Sequence, residues 1–312
     1  MPQKYTLNAF TSSDETHKIV FYTWTPPHPP YRGVIQIIHG MREHMGRYAD
    51  FADFCTRQGY IVCGHDQLGH GKTAQKDGNY GFFGSEDGCE CLVADCARAS
   101  KILSKKYAGL PLFLLGHSMG SFLGRLLIVR SPNLYAGFIC MGTGGDIPAA
   151  PAARAFLEVV ARTKGDKQSM HILNQMVVSP TLMRFDGDSG SMAWLSRDKD
   201  VVSAFTDDLM TQPLFTNRGL CDLISLQMAA TSKKWAGKVA KNMPILLISG
   251  ERDVIGRFGK GVVQTYERLK LAGCMDVQCI LYEKARHEIL NELNREEVYY
   301  DIYRWLQDHQ PG

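Results

Sequence analysis

The stretch Pro111–Ile128, PLFLLGHSMGSFLGRLLI, constrains this 312-residue chain more than any other. Four consecutive apolar residues, Leu112 to Leu115, run into Gly116-His117-Ser118-Met119-Gly120, and apolar residues recur at Phe122, Leu123, Leu126 and Leu127. The first run reads as a buried strand; the 3–4 spacing after it reads as one face of a helix. The G-x-S-x-G between them sets a serine at the apex of a turn that tolerates only small residues two places before and after it. Strand, sharp turn and helix present a serine as a nucleophile.

The rest of the chain supplies a sheet around that strand. Tyr5–Phe10 and Lys18–Thr25 are β-rich and flank Thr11-Ser12-Ser13-Asp14, which suits a hairpin. Val34–Ile38, Tyr60–Cys63, Gly137–Met141, Ile245–Ser249 and Val277–Tyr282 are further apolar strands. Helical patterns separate most of them, with Tyr48, Phe51, Ala52 and Cys55 on one face and a long helix over Glu86–Lys106. Strands alternating with helices predict an α/β fold with a mostly parallel sheet covered on both faces. One interval breaks the alternation. Residues 146–232 show helical pieces (Ala152–Thr163, Met170–Val178, Leu220–Ala230) and no strand. They are expected to form a lid over the carboxyl ends of the strands, between core segments 1–145 and 233–312.

Composition removes other classes. With 35 basic and 32 acidic residues and no long basic block, the chain carries no nucleic-acid signature. Its N-terminal residues hold no apolar core of signal-peptide length, and no run approaches the roughly 20 apolar residues of a membrane span. Nine cysteines, an odd number scattered through helices and strands, suit reduced thiols and a cytoplasmic location.

A serine needs a base, and the base needs an orienting acid. Where a G-x-S-x-G turn lies in an α/β sheet, the partners follow in the order Ser, acid, His. Glu251-Arg252-Asp253 follows the Ile245–Ser249 strand, and Glu283-Lys284-Ala285-Arg286-His287-Glu288 follows the Val277–Tyr282 strand. Both therefore reach the rim that holds Ser118. The candidate triad is Ser118, Asp253 and His287; Asp146, just past another strand, and Glu251 are rival acids. The backbone N–H groups of Met41 and Met119 are the candidate oxyanion donors.

Taken together, these residues resemble the monoacylglycerol lipase and lysophospholipase branch of the serine α/β-hydrolases. The resemblance is carried by His39–Tyr48 (HGMREHMGRY), the D-x-x-G-H-G of Asp66–Gly71, Leu115–Ser121, Leu195-Ser196-Arg197-Asp198, Ser249–Asp253 and Ala285–Glu288. It implies an eight-stranded sheet, a helical lid, no cofactor or metal, and hydrolysis of carboxylic esters of single-chain lipids through an acyl-serine. By position it also implies the triad and oxyanion residues named above. Arg42 stands where such proteins often carry a small or apolar residue, which makes it a candidate for pairing with a phosphate or carboxylate on the substrate. Acyl transfer, a short-chain esterase and a non-catalytic ligand-binding homologue are the alternatives.

Other features have plainer readings. Glu43, His44 and Arg47 are expected to tie down the oxyanion loop, and His39 and His117 to make structural hydrogen bonds. Gly71-Lys72-Thr73 lacks the first glycine of a phosphate loop. Gly187-Asp188-Ser189-Gly190 imitates a protease motif in the wrong context, and Cys89, Cys91 and Cys96 match no zinc spacing. Phe156, Val159 and Val160 are expected to face the core, with contact to a membrane or micelle as the alternative.

Overall fold

The computed structural model describes residues 5–178 and 192–310; the Gly187–Gly190 motif lies outside them. The chain opens with β1 (Thr6–Thr11), β2 (Lys18–Trp24), β3 (Gly33–Ile38), α1 (Ala49–Arg57), β4 (Tyr60–His65), α2 (Gly71–Gln75) and α3 (Gly88–Lys106). Next come β5 (Leu112–His117), α4 (Met119–Arg130) and β6 (Gly137–Met141). Helices α5 (Ala150–Lys164), α6 (His171–Val178), α7 (Lys199–Asp207), α8 (Asn217–Thr231) and α9 (Trp235–Lys238) lie between β6 and β7 (Ile245–Gly250). Helix α10 (Lys260–Leu271), β8 (Val277–Tyr282) and α11 (Arg295–Asp308) complete the order.

The strands form one eight-stranded sheet in the order β1-β2-β4-β3-β5-β6-β7-β8. β1 and β2 pair antiparallel, as do β2 and β4. All pairs from β4 to β8 are parallel. Parallel strands must be covered on both faces, and β5 shows how its sequence meets that demand. Leu112 and Leu114 join the core on one face, and Phe113 and Leu115 join the core on the other. Each such side chain contributes about 1.5–3 kcal/mol on burial.

Register places the site. β3 and β5 run side by side from Val34↔Leu112 to Ile38↔Gly116, so the loop after β3 abuts the turn after β5. β7 and β8 end together at Gly250↔Tyr282, which sets the Asp253 and His287 loops next to each other.

The helical interval between β6 and β7 is of two kinds. Helix α8 is capped by Thr216, whose side chain accepts from Gly219 N–H. It belongs to the main core, with Leu220, Leu226 and Ala230 fully buried. Helix α5 buries only Ala150, Leu157 and Ala161. Its Phe156 is 53% exposed and Val159 is 59% exposed, so neither faces the core as expected; Val160 does pack against it. The buried positions fall on one narrow stripe, and the neighbouring apolar positions are left outside it. Helix α7 is a further helical piece of this interval, begun by Asp198 as N-cap, whose side chain accepts from Asp200 N–H.

Candidate active site

Ser118 stands between β5 and α4 with φ 53° and ψ −117°, a conformation that non-glycine residues rarely adopt. Two features hold it there. Its N–H donates to Met141 O at 3.0 Å, and its carbonyl accepts from Ser121 N at 2.9 Å. A side chain at Gly116 would meet Gly120 O at 2.3 Å, and one at Gly120 would meet Ile38 O at 2.0 Å. Both glycines of the motif are therefore required by close backbone approach. The N–H of Met119, the first residue of α4, belongs to the helix turn that has no intrahelical acceptor.

His287 and Asp253 approach from the neighbouring loops. His287 Nδ1 lies 3.0 Å from Asp253 Oδ1. Asp253 is fully buried and also accepts from Ile255 N at 2.9 Å and from Ser249 Oγ at 2.9 Å. Burial alone would raise its carboxyl pKa, but the His287 imidazole and these donors hold it below the ordinary value. The rival acids sit elsewhere. Asp146 pairs with Arg268 Nη2 at 3.0 Å, and the exposed Glu251 accepts from Lys284 N at 3.4 Å.

A buried polar group backs the histidine. The ring of His117 packs 4.7 Å from that of His287, and its Nδ1 lies 2.9 Å from Glu43 Oε1. Glu43 also accepts from Gly40 N–H and from Tyr48 Oη at 3.0 Å. For both residues burial disfavours charge, and each partner's charge outweighs it: His117 is shifted up and Glu43 down. Glu288 is held by Arg47 in the same cluster. Asp66, unassigned by sequence reasoning, anchors the loop after β3 by accepting from Met45 N at 2.8 Å, and also accepts from Lys72 N at 2.7 Å and Tyr22 Oη at 3.0 Å.

Residues 193–197 brace the histidine loop from above. Glu288 N donates to Leu195 O at 2.7 Å, Arg286 Nη1 to Ala193 O at 2.7 Å, and Arg197 Nε to Glu292 Oε2 at 2.9 Å. Sequence reasoning marked Leu195–Asp198 only as a likeness, because carbonyl partners leave no trace in residue identity.

Ser118 and His287 open into one cavity of about 270 Å³, which Met41, Met119 and Phe205 also line. A second apolar cavity of about 210 Å³ adjoins it, sharing Ile147 and Gln227 and running past Ala153, Leu157 and Leu173. Arg42 lines the first cavity, half-buried, on left-handed backbone at φ 55°. Its Nε donates to Thr211 O and its Nη2 to Gln212 O, both at 3.1 Å.

A mostly parallel eight-stranded sheet with a serine on the turn after its central strand defines the α/β-hydrolase fold. Comparison with known proteins narrows this. The chain belongs to the family described as serine aminopeptidase, S33, which matches residues 29–294. It is 29% identical to human monoglyceride lipase over 91% of this chain and 84% of that protein. It is 26% identical to the monoacylglycerol lipase of Mycolicibacterium smegmatis, over 94% of each chain. A carboxyl esterase from Bacillus coagulans, solved in complex with glycerol, superposes with a TM-score of 0.91 at 28% identity, covering 98% of this chain and 99% of that one.

Proposed function

We propose that the protein hydrolyses carboxylic esters of single-chain lipids, with Ser118, Asp253 and His287 as its triad. The observation that carries this is the Nδ1–carboxylate contact of 3.0 Å on a histidine that shares a largely apolar cavity with an elbow serine. His287 takes the proton of Ser118 as Oγ attacks the acyl carbonyl, and the N–H groups of Met41 and Met119 hold the oxyanion. His287 then protonates the leaving alcohol and activates a water that releases the acid. Asp253 fixes the ring and stabilises the imidazolium.

The adjoining apolar cavities suit an acyl chain, and the names of the human and mycobacterial relatives support a monoacylglycerol. An aminopeptidase site would need a carboxylate for the substrate ammonium group. Among the described residues the two acidic side chains lining the cavity, Glu43 and Glu288, are already engaged by His117 and Arg47. Within residues 146–232, helices α5, α6 and α7 act as the lid, and α5 and α6 carry exposed apolar side chains that suit contact with a membrane or micelle while substrate enters. Among the described residues no helix is long and apolar enough to cross a membrane. The nine cysteines, all free thiols, favour a cytoplasmic protein.

Hydrolysis of a long-chain monoacylglycerol, a lysophospholipid and a short aryl ester, with Ser118→Ala as blank, tests this. The expected result is a preference for a single-chain lipid; turnover of the short ester alone would leave the mechanism and remove the substrate.

A further inference from the structure

The sequence singled out Arg42 as a partner for a substrate anion, but two donors of its guanidinium are committed to the Thr211 and Gln212 carbonyls. Arg47, the cation beside it, is committed to Glu288. A different arginine lines the same cavity. Arg257 is exposed at its opening, four residues beyond Asp253, and its side chain has no acceptor or carboxylate partner among the described residues.

Its backbone is held in place. Arg257 (φ 52°) and Phe258 (φ 57°) are consecutive non-glycine residues in the left-handed region, a costly arrangement that persists only where the surroundings impose it. Phe258 N donates to Asp253 O at 2.8 Å and Arg257 N to Val254 O at 3.0 Å, so the loop that positions the triad acid also positions Arg257. The Gly144-Gly145 segment shows what lies beside it. A side chain at Gly145 would sit 3.0 Å from Arg257 Nη2, and one at Gly144 would sit 3.8 Å from Gln227 Nε2. Gln227 lines both cavities, and its amide likewise has no partner among the described residues. Two sets of unused N–H donors, one charged, thus lie beside neighbouring glycines and line a single, mainly apolar cavity.

We propose that Arg257, with Gln227, forms an anion-recognition corner, and that the enzyme prefers esters carrying a phosphate or carboxylate beside the acyl chain over their neutral counterparts. This rests on ester hydrolysis at Ser118. A guanidinium offers paired donors that match either oxyanion.

Matched esters of one acyl chain test it: a monoacylglycerol, its glycerol phosphate analogue, and a monoester whose alcohol ends in a carboxylate. The readout is the ratio of kcat/KM for each anionic ester to that for the neutral one. Arg257→Gln is expected to lower the ratio about tenfold, and Arg257→Lys to retain part of it. Raising the salt concentration should narrow the ratio in the parent protein more than in Arg257→Gln. A fall for the phosphate alone assigns the corner to phosphate, and a fall for the carboxylate alone assigns it to carboxylate. A ratio unchanged within twofold in both variants, with the neutral ester still hydrolysed, overturns the proposal alone. No hydrolysis of any ester by the parent protein overturns ester hydrolysis and the proposal with it.

Discussion

The turn that holds Ser118 and helix α5, which lines the second cavity, are built to different tolerances. From Leu112 to Arg125 every residue is buried, and the two glycines of the turn touch neighbouring backbone. Along α5 only three of its fifteen residues are buried, and Phe156 and Val159 face outward. A reacting atom must be held within a fraction of an ångström, so packing over-determines it. A surface that accepts a flexible lipid chain needs apolar area and room to adjust, which loosely packed amphipathic helices provide.

Substitutions on either side should separate the two regimes. On the rigid side, Asp253→Asn is expected to lower kcat by about 10⁴ while leaving the fold intact, because the imidazole loses its orienting charge. A loss under tenfold in steady-state assays would place the acid elsewhere. Glu43→Gln comes next, since breaking a buried pair costs roughly 3–5 kcal/mol. The lowered Glu43 pKa adds stability above its ordinary value and loses it as pH falls through the folded value. The raised His117 pKa adds stability below its ordinary value and loses it as pH rises through the folded one. The stability gap between parent and variant should therefore be widest between about pH 4.3 and 6.5. Denaturant melts giving the same gap from pH 3 to 9 would contradict the ion pair.

Much of the rigid half was legible in the sequence. The elbow, the strand-end acid and the strand-end histidine are short local patterns, and their order along the chain brings them to one rim. The network behind them was not legible as a network. Glu43 and His117 lie 74 residues apart and meet because β3 and β5 pair in register. The inserted helices were read as helices, but which of their apolar residues turn inward depends on packing partners that periodicity does not name. Arg42 shows the same limit: its residue type suggested an anion, and the carbonyls that occupy it come from a loop about 170 residues away.

Effects on the tolerant side should be smaller and selective. Ala153→Trp, at the wall of the second cavity, is expected to reduce kcat/KM for long-chain relative to short-chain esters by about tenfold. Equal loss on both would mean that the chain does not enter there. Val159→Ser should shift stability by no more than about 0.5 kcal/mol, as for an exposed position, while weakening sedimentation with lipid vesicles. Unchanged vesicle binding would leave α5 without a role at the membrane.

The most direct measurement is peptide mapping of the protein after reaction with a fluorophosphonate. A single adduct on the peptide that carries Ser118, absent from Ser118→Ala, is the predicted result. An adduct on another residue, or equal labelling of Ser118→Ala, would contradict the assignment of Ser118 as the nucleophile.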